Sequence, residues 1–311
     1  DTVRNDLPVD NTTSLKTTSS KTDDAKTEYV ILPDEFHTQK SILFRTTHTN
    51  AEVWLDGKLI YQYGNEKNAP KFMKSPGSCW HIVDIPENSD AKKLTVKIIP
   101  VYQGYYGNPA HLFLGTRGDC ILKILTDSLG ILVISCGILF AAVICILLYC
   151  GAARRKRSDK TEAKIEIFLN LGFFSLLVAV WTLVQCGFLQ FLIPDGRTLY
   201  FVEYFSLFLF PVPFNFLLYD ICKSRYHKGA LFFSILYLAN MAVDVLLQCT
   251  GIIDMSRLLS VIHVIMVANA VYTVVIILYE AGKKENDVAK KFRYPMCVAM
   301  GFGMAEQYQF V

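Results

Sequence analysis

From Gly130 to Cys150 the chain carries no charged residue. About 20 apolar residues in a row are what a helix needs to cross the hydrocarbon core of a bilayer. Comparable apolar stretches follow, and the pattern predicts spans near 128–150, 165–190, 199–221, 229–250 and 256–281, with a sixth starting near Tyr294 and still open at Val311. No other feature restricts the fold as much. Inside lipid every backbone N–H and C=O must be satisfied within the protein, so a run of this kind is a helix. Hydrophobic residues make up 52% of the chain, and they concentrate after Leu122, which separates a membrane part from an earlier, ordinary part.

Charge orients the membrane part. Arg154, Arg155, Lys156, Arg157, Lys160 and Lys164 follow the first span. Lys223, Arg225 and Lys228 follow the third, and Lys283, Lys284, Lys290, Lys291 and Arg293 follow the fifth. The alternate loops hold one basic residue each, Arg197 and Arg257. Short basic loops stay cytoplasmic during insertion. Loops 151–164, 222–228 and 282–293 are therefore expected in the cytoplasm, and everything before the first span outside it. The chain starts without Met and its sixth apolar segment ends in the polar Glu306-Gln307-Tyr308-Gln309, which gives the expectation of a piece trimmed at both ends.

Before the first span the pattern changes twice. Residues 1–27 are rich in Thr, Ser, Asp and Lys and read as a disordered stalk. Residues 28–120 alternate in the manner of strands. Ala51-Glu52-Val53-Trp54-Leu55 and Leu59-Ile60-Tyr61-Gln62-Tyr63 flank Asp56-Gly57, a strong hairpin signal because Gly accepts positive φ in a tight turn. Ser41–His48, His81–Ile85 and Leu94–Ile99 add further strands, and their spacing predicts an all-β sandwich with one small core. Residues 121–311 form the transmembrane helical domain.

Acidic and basic residues nearly balance before Asp127, with no basic stripe to suggest nucleic acid. Seven of the nine cysteines fall in or beside apolar segments, where they serve as small packing residues. Only Cys79 and Cys120 fall in the outer domain, as a disulfide or as two free thiols. No Cys-x-x-Cys pair, nucleophile elbow, phosphate loop or His-Glu-x-x-His occurs. The expectation is a chain with no catalytic constellation, no metal and no cofactor.

The stretches Leu43-Phe44-Arg45-Thr46, Glu52 through Tyr61, Tyr63-Gly64 and Lys74-Ser75-Pro76-Gly77-Ser78-Cys79-Trp80 resemble the bacterial seven-transmembrane receptors with diverse intracellular signalling modules. The outer segment is especially similar to Firmicutes members that end in a diguanylate cyclase. The resemblance spans roughly residues 28–311. It implies a galactose-binding-like jelly-roll sandwich outside a bacterial plasma membrane, then helices leading to a cytoplasmic output domain that this sequence does not contain. It also implies, by analogy with diguanylate cyclases and histidine kinases, a homodimer.

Candidate ligand contacts fall in two places. In the outer domain Tyr105 and Tyr106, between Gly104 and Gly107, and Trp80 offer aromatic faces to a carbohydrate or other small molecule. In the helices Glu203, Asp244 and His263 all fall in the outer leaflet at 1.5 Å rise per residue, with Gln185 at similar depth. Ionisable groups at such depth are costly and so carry function or pair with a neighbour. Pro211 and Pro213 in the third span remove helical hydrogen bonds and mark a hinge candidate. The function expected is a membrane receptor passing an outer stimulus through its helices. The alternative is a transporter or membrane-embedded enzyme with a substrate-capturing outer domain, which would need a polar path through the bundle, and for that Asn240 and Asn269 are the mid-span candidates.

Overall fold

A computed structural model of the chain describes residues 18–21, 27–31, 41–65, 69–86, 93–102, 112–156, 165–222, 227–283 and 286–308. The chain divides into two compact units. The first holds residues 1–130 and 186–201, the second residues 131–185 and 202–311.

Among the described residues of the first unit there are eight strands: β1 (Thr18–Lys21), β2 (Thr27–Ile31), β3 (Ser41–Thr47), β4 (Thr49–Leu55), β5 (Lys58–Tyr63), β6 (Ser78–Asp84), β7 (Leu94–Pro100) and β8 (Phe113–Gly115). They form a five-stranded sheet in the order β1-β2-β7-β4-β5 and a three-stranded sheet in the order β6-β3-β8, antiparallel throughout. The expected hairpin is there, with Asp56 at φ 46° and Gly57 at φ 81° closing β4 onto β5. Alternate side chains of β3, β4, β6 and β7 meet in one core: Ile42, Phe44, Val53, Val83, Val96 and Ile98 are all within it, the period-2 burial that a half-covered strand requires. One boundary needs correcting. β1 lies inside the segment read as a stalk, because sequence polarity does not prevent Thr18–Lys21 from hydrogen-bonding along β2.

The helices are α1 (Arg117–Lys156), α2 (Glu166–Gln185), α3 (Gly196–Leu209), α4 (Pro211–Ile221), α5 (Lys228–Thr250), α6 (Leu259–Lys283) and α7 (Asp287–Tyr308). Among the described residues five helical segments are long and apolar enough to cross a membrane: Arg117–Arg154, Glu166–Gln185, Gly196–Ile221, Lys228–Thr250 and Leu259–Gly282. This is a multi-pass membrane protein. α1 and α3 each begin in the first unit and continue into the second.

Local signals set where the helices begin and end. Thr116 and Asp119 form a capping box: the Asp119 amide donates to the Thr116 hydroxyl at 3.2 Å, and the Asp119 carboxylate accepts the Thr116 amide at 2.9 Å. Asp195 caps α3 by accepting the Thr198 amide at 3.1 Å. Gly251, at φ 70°, ends α5 in the left-handed conformation.

Three expected spans are redrawn. The second stops at Gln185, because Cys186 turns extended before a 3₁₀ turn over Gly187–Phe191. The third is two helices, α3 and α4, meeting at Phe210. Phe210 itself keeps helical angles (φ −61°, ψ −28°) with Pro211 at the first position of α4. Prolines 211 and 213 lack N–H groups, so the carbonyls of Leu207 and Leu209 lose their donors four residues on. The last helix starts at Asp287, well before Tyr294. Asn286 accepts the Ala289 amide as its cap, and donates to the Ile221 carbonyl at 2.7 Å and the Glu280 carboxylate at 3.1 Å. Hydropathy marks where lipid begins, whereas a helix can start outside it. The apolar core of the second unit gathers Phe214, Leu218 and Ile221 of α4 with Ala230, Ile277 and Met296.

Candidate functional site

Within the first unit the segment 74–80, which runs into β6, meets the start of α3. Gly77, at φ 88°, comes so close to the Gly196 carbonyl that a Cβ there would lie 2.2 Å from the oxygen. A Cβ on Gly196 would in turn meet Cys79 Sγ and Tyr63 Oη, both at 2.4 Å. Only two glycines allow backbone to rest on backbone here. The Tyr63 hydroxyl donates to the Pro76 carbonyl and lies 3.0 Å from Cys79 Sγ. Ser75 Oγ accepts the Gly77 amide at 3.0 Å and pairs with His48 Nδ1 at 3.0 Å. His48 stands edge-on to Tyr200 in α3, with ring centroids 5.6 Å apart.

Trp80 belongs to the same seam. Among the described strands β6 pairs with β3 alone, so its other edge has free backbone groups. Gln190 takes them up: its carboxamide accepts the Trp80 amide at 2.7 Å and donates to the Trp80 carbonyl at 2.6 Å. The Trp80 ring is half-buried, packed with Leu43, Cys120 and Ile124, and the Arg45 guanidinium sits 5.9 Å from its centroid. The Trp80 ring thus packs against the start of α1, while its backbone is tied to the turn before α3.

Behind this seam is a buried polar group. His81, 3% exposed, pairs through Nε2 with Thr46 Oγ1 (2.7 Å) and through Nδ1 with Tyr61 Oη (2.9 Å), one ring nitrogen donating and the other accepting. Burial drives its pKa down to about 3, so the ring is neutral at ordinary pH. Burial, with Cys79 beside it, pushes the Tyr61 phenol up to about 12, and burial likewise raises Tyr63 and the Cys79 thiol. Asp195 is held below the usual carboxylate range, first by the Thr198 hydroxyl hydrogen bond. The group therefore offers neutral hydrogen bonds and holds no thiolate or imidazolium. Tyr61 and Tyr63 pack against the strand core, and His81 is buried. Cys79 and Cys120 are both free and buried.

The second unit pairs the sequence candidates locally. Gln185 donates to Glu203 at 2.6 Å, joining α2 to α3. Asp244, 2% exposed, accepts from Asn240 one turn earlier on α5 at 2.7 Å. His263 lies half-buried on α6. The structure thus brings Gln185 and Glu203 together. Tyr105 and Tyr106 lie outside the described residues. Among the described residues no group of three or more His, Cys, Asp or Glu could hold a metal ion.

No protein-family model, curated protein or solved structure matches the chain.

Sequence reasoning missed Gln190, Gly196 and the role of Gly77. Gly77 sat inside the quoted stretch Lys74–Trp80, but nothing in a single sequence pairs it with a glycine more than a hundred residues later. Gln190 was read as the end of a membrane span, and its polarity was the signal available.

Proposed function

We propose that the chain is the sensing and membrane-spanning part of a bacterial plasma-membrane receptor. Its outer part is a galactose-binding-like β-sandwich that takes a small-molecule or carbohydrate stimulus, with the basic loops 151–164, 222–228 and 282–293 in the cytoplasm. The helices carry the state inward to an output domain, a diguanylate cyclase by resemblance.

The observation that supports this reading is the seam just described. Strands, the first turns of α1 and the entry to α3 form a single compact unit, joined by the bidentate Gln190–Trp80 pair and the Gly77–Gly196 contact. A change in the strands therefore reaches two membrane helices through rigid contacts instead of a flexible linker. Gly77 and Gly196 allow no slack, since close-packed interiors shift between discrete arrangements instead of stretching. The break between α3 and α4 at Phe210, followed by Pro211 and Pro213, lies on the same path and is the candidate hinge.

The test uses the whole chain in detergent or nanodiscs, melted across a panel of sugars, peptidoglycan fragments and amino acids. A ligand that binds only the folded state adds about 2.7 kcal/mol at a hundredfold excess over Kd. The expected result is a rise in Tm with one chemical class, together with altered hydrogen exchange in α3. In Gln190→Ala the rise persists and the α3 response shrinks. If a ligand is bound while α1 and α3 exchange unchanged in the wild-type chain, the relay reading fails.

A further inference from the structure

We infer that the helical unit holds an ordered water at the level of Asn215, Tyr237 and Asn269, bridging α4, α5 and α6. This goes beyond the receptor reading and does not depend on it. Asn215 is fully buried, and neither its amide oxygen nor its amide nitrogen has a hydrogen-bond partner. Asn269 is 4% exposed; its Oδ1 has no partner, and its Nδ2 reaches Tyr237 Oη only at 3.4 Å. Tyr237 is 1% exposed. The Thr273 hydroxyl nearby is already spent on the Asn269 backbone carbonyl at 2.8 Å.

Helical register puts the three at one depth. Ile221 of α4 and Ala230 of α5 share a core cluster where the end of one helix adjoins the start of the other, and the two run in opposite directions. Stepping six residues back from Ile221 reaches Asn215, and stepping seven on from Ala230 reaches Tyr237, about 10 Å along the axis in both cases. Tyr237 already contacts Asn269 on α6.

A buried carboxamide with no partner is strongly disfavoured, and two at one level point to a shared guest. The guest must donate and accept, because Asn215 presents both functions and Asn269 an acceptor. None of the three residues offers a charge, so an ion is poorly matched: a cation would face the Asn215 amide hydrogens, and an anion would find no cationic partner. Water fits, since buried waters occupy sites with two to four polar partners. Held through water, α4 can change its seat on α5 and α6 by exchanging solvent contacts without breaking direct bonds.

Radiolytic hydroxyl footprinting of the full chain in nanodiscs tests this, because radicals form from water wherever water is bound. Tyr237 is expected to be oxidised several-fold faster than Phe208, which is 0% exposed, after correction for intrinsic reactivity. The rate should fall several-fold in the double variant Asn215→Leu with Asn269→Leu, with Asn215→Ser retaining part of it. Wild-type labelling of Tyr237 at the Phe208 level overturns the proposal whether or not the variants fold. So does labelling that survives unchanged in a folded double variant.

Discussion

The side chain of Gln190 makes the two hydrogen bonds to Trp80 that a neighbouring strand would make, accepting from its amide at 2.7 Å and donating to its carbonyl at 2.6 Å. An edge strand with free backbone groups is a template for unwanted pairing. Here one carboxamide covers it at Trp80 and ties it to the turn before α3.

Replacing Gln190 with Ala leaves both Trp80 groups without that partner. Two neutral hydrogen bonds of about 0.5–1.5 kcal/mol each are lost. A fall in the melting temperature of the first unit is expected, followed by tryptophan fluorescence. Gln190→Glu should cost nearly as much, since it keeps the acceptor and removes the donor. A Glu variant as stable as the wild type would contradict the bidentate geometry.

Gly77→Ala and Gly196→Ala each force a methyl group against backbone or against Cys79 and Tyr63. Gly57→Ala meets nothing within 4 Å and suffers only from its φ of 81°. The first two should destabilise by more than about 2 kcal/mol and the third by about 1 kcal/mol. Thermal unfolding monitored by size-exclusion of detergent-solubilised protein ranks the three. Equal losses at all three positions would remove the case for close backbone contact.

His81 makes stability depend on acid. Its folded pKa of about 3 lies below the ordinary value of 6.5. Between those two values the unfolded chain binds the proton and the folded chain does not. The stabilisation is complete above about pH 6.5 and is lost as pH falls toward 3, at roughly 1 kcal/mol per pH unit. His81→Leu should flatten the melting profile over that window while lowering stability at pH 7, because Thr46 and Tyr61 lose their partner. A wild-type profile flat from pH 7 to 4 would show that the ring is not held neutral.

Pro211→Ala with Pro213→Ala restores two amide donors, aimed at the carbonyls of Leu207 and Leu209. Slower hydrogen exchange across 207–213 and a higher melting temperature are expected. Unchanged exchange there would mean that neighbouring helices already hold the break rigid and that it is no hinge.

The membrane helices were legible because lipid imposes one rule on every span, and Gly130–Cys150 obeys it without a single charge. The strand pattern of β4 and β5 was legible because Asp56-Gly57 fixes the turn locally. What escaped was long-range. The sequence shows the Trp80 ring but not that Gln190, separated from it by 110 positions, hydrogen-bonds to its backbone. Gln185 and Glu203 were legible as polar groups at a similar depth, but their direct hydrogen bond across a helix pair was not. Burial of Asn215 was invisible because an apolar span looks the same whether it faces lipid or another helix.

The contact between Gly77 and Gly196 leaves no side chain through which its fit can be graded. Selection cannot loosen or tighten it by swapping a valine for an isoleucine, as it does in ordinary cores. Among chains of this build, tuning of this contact must therefore be displaced onto the surrounding ring of Tyr63, Cys79 and Gln190, while the two glycines change together or not at all.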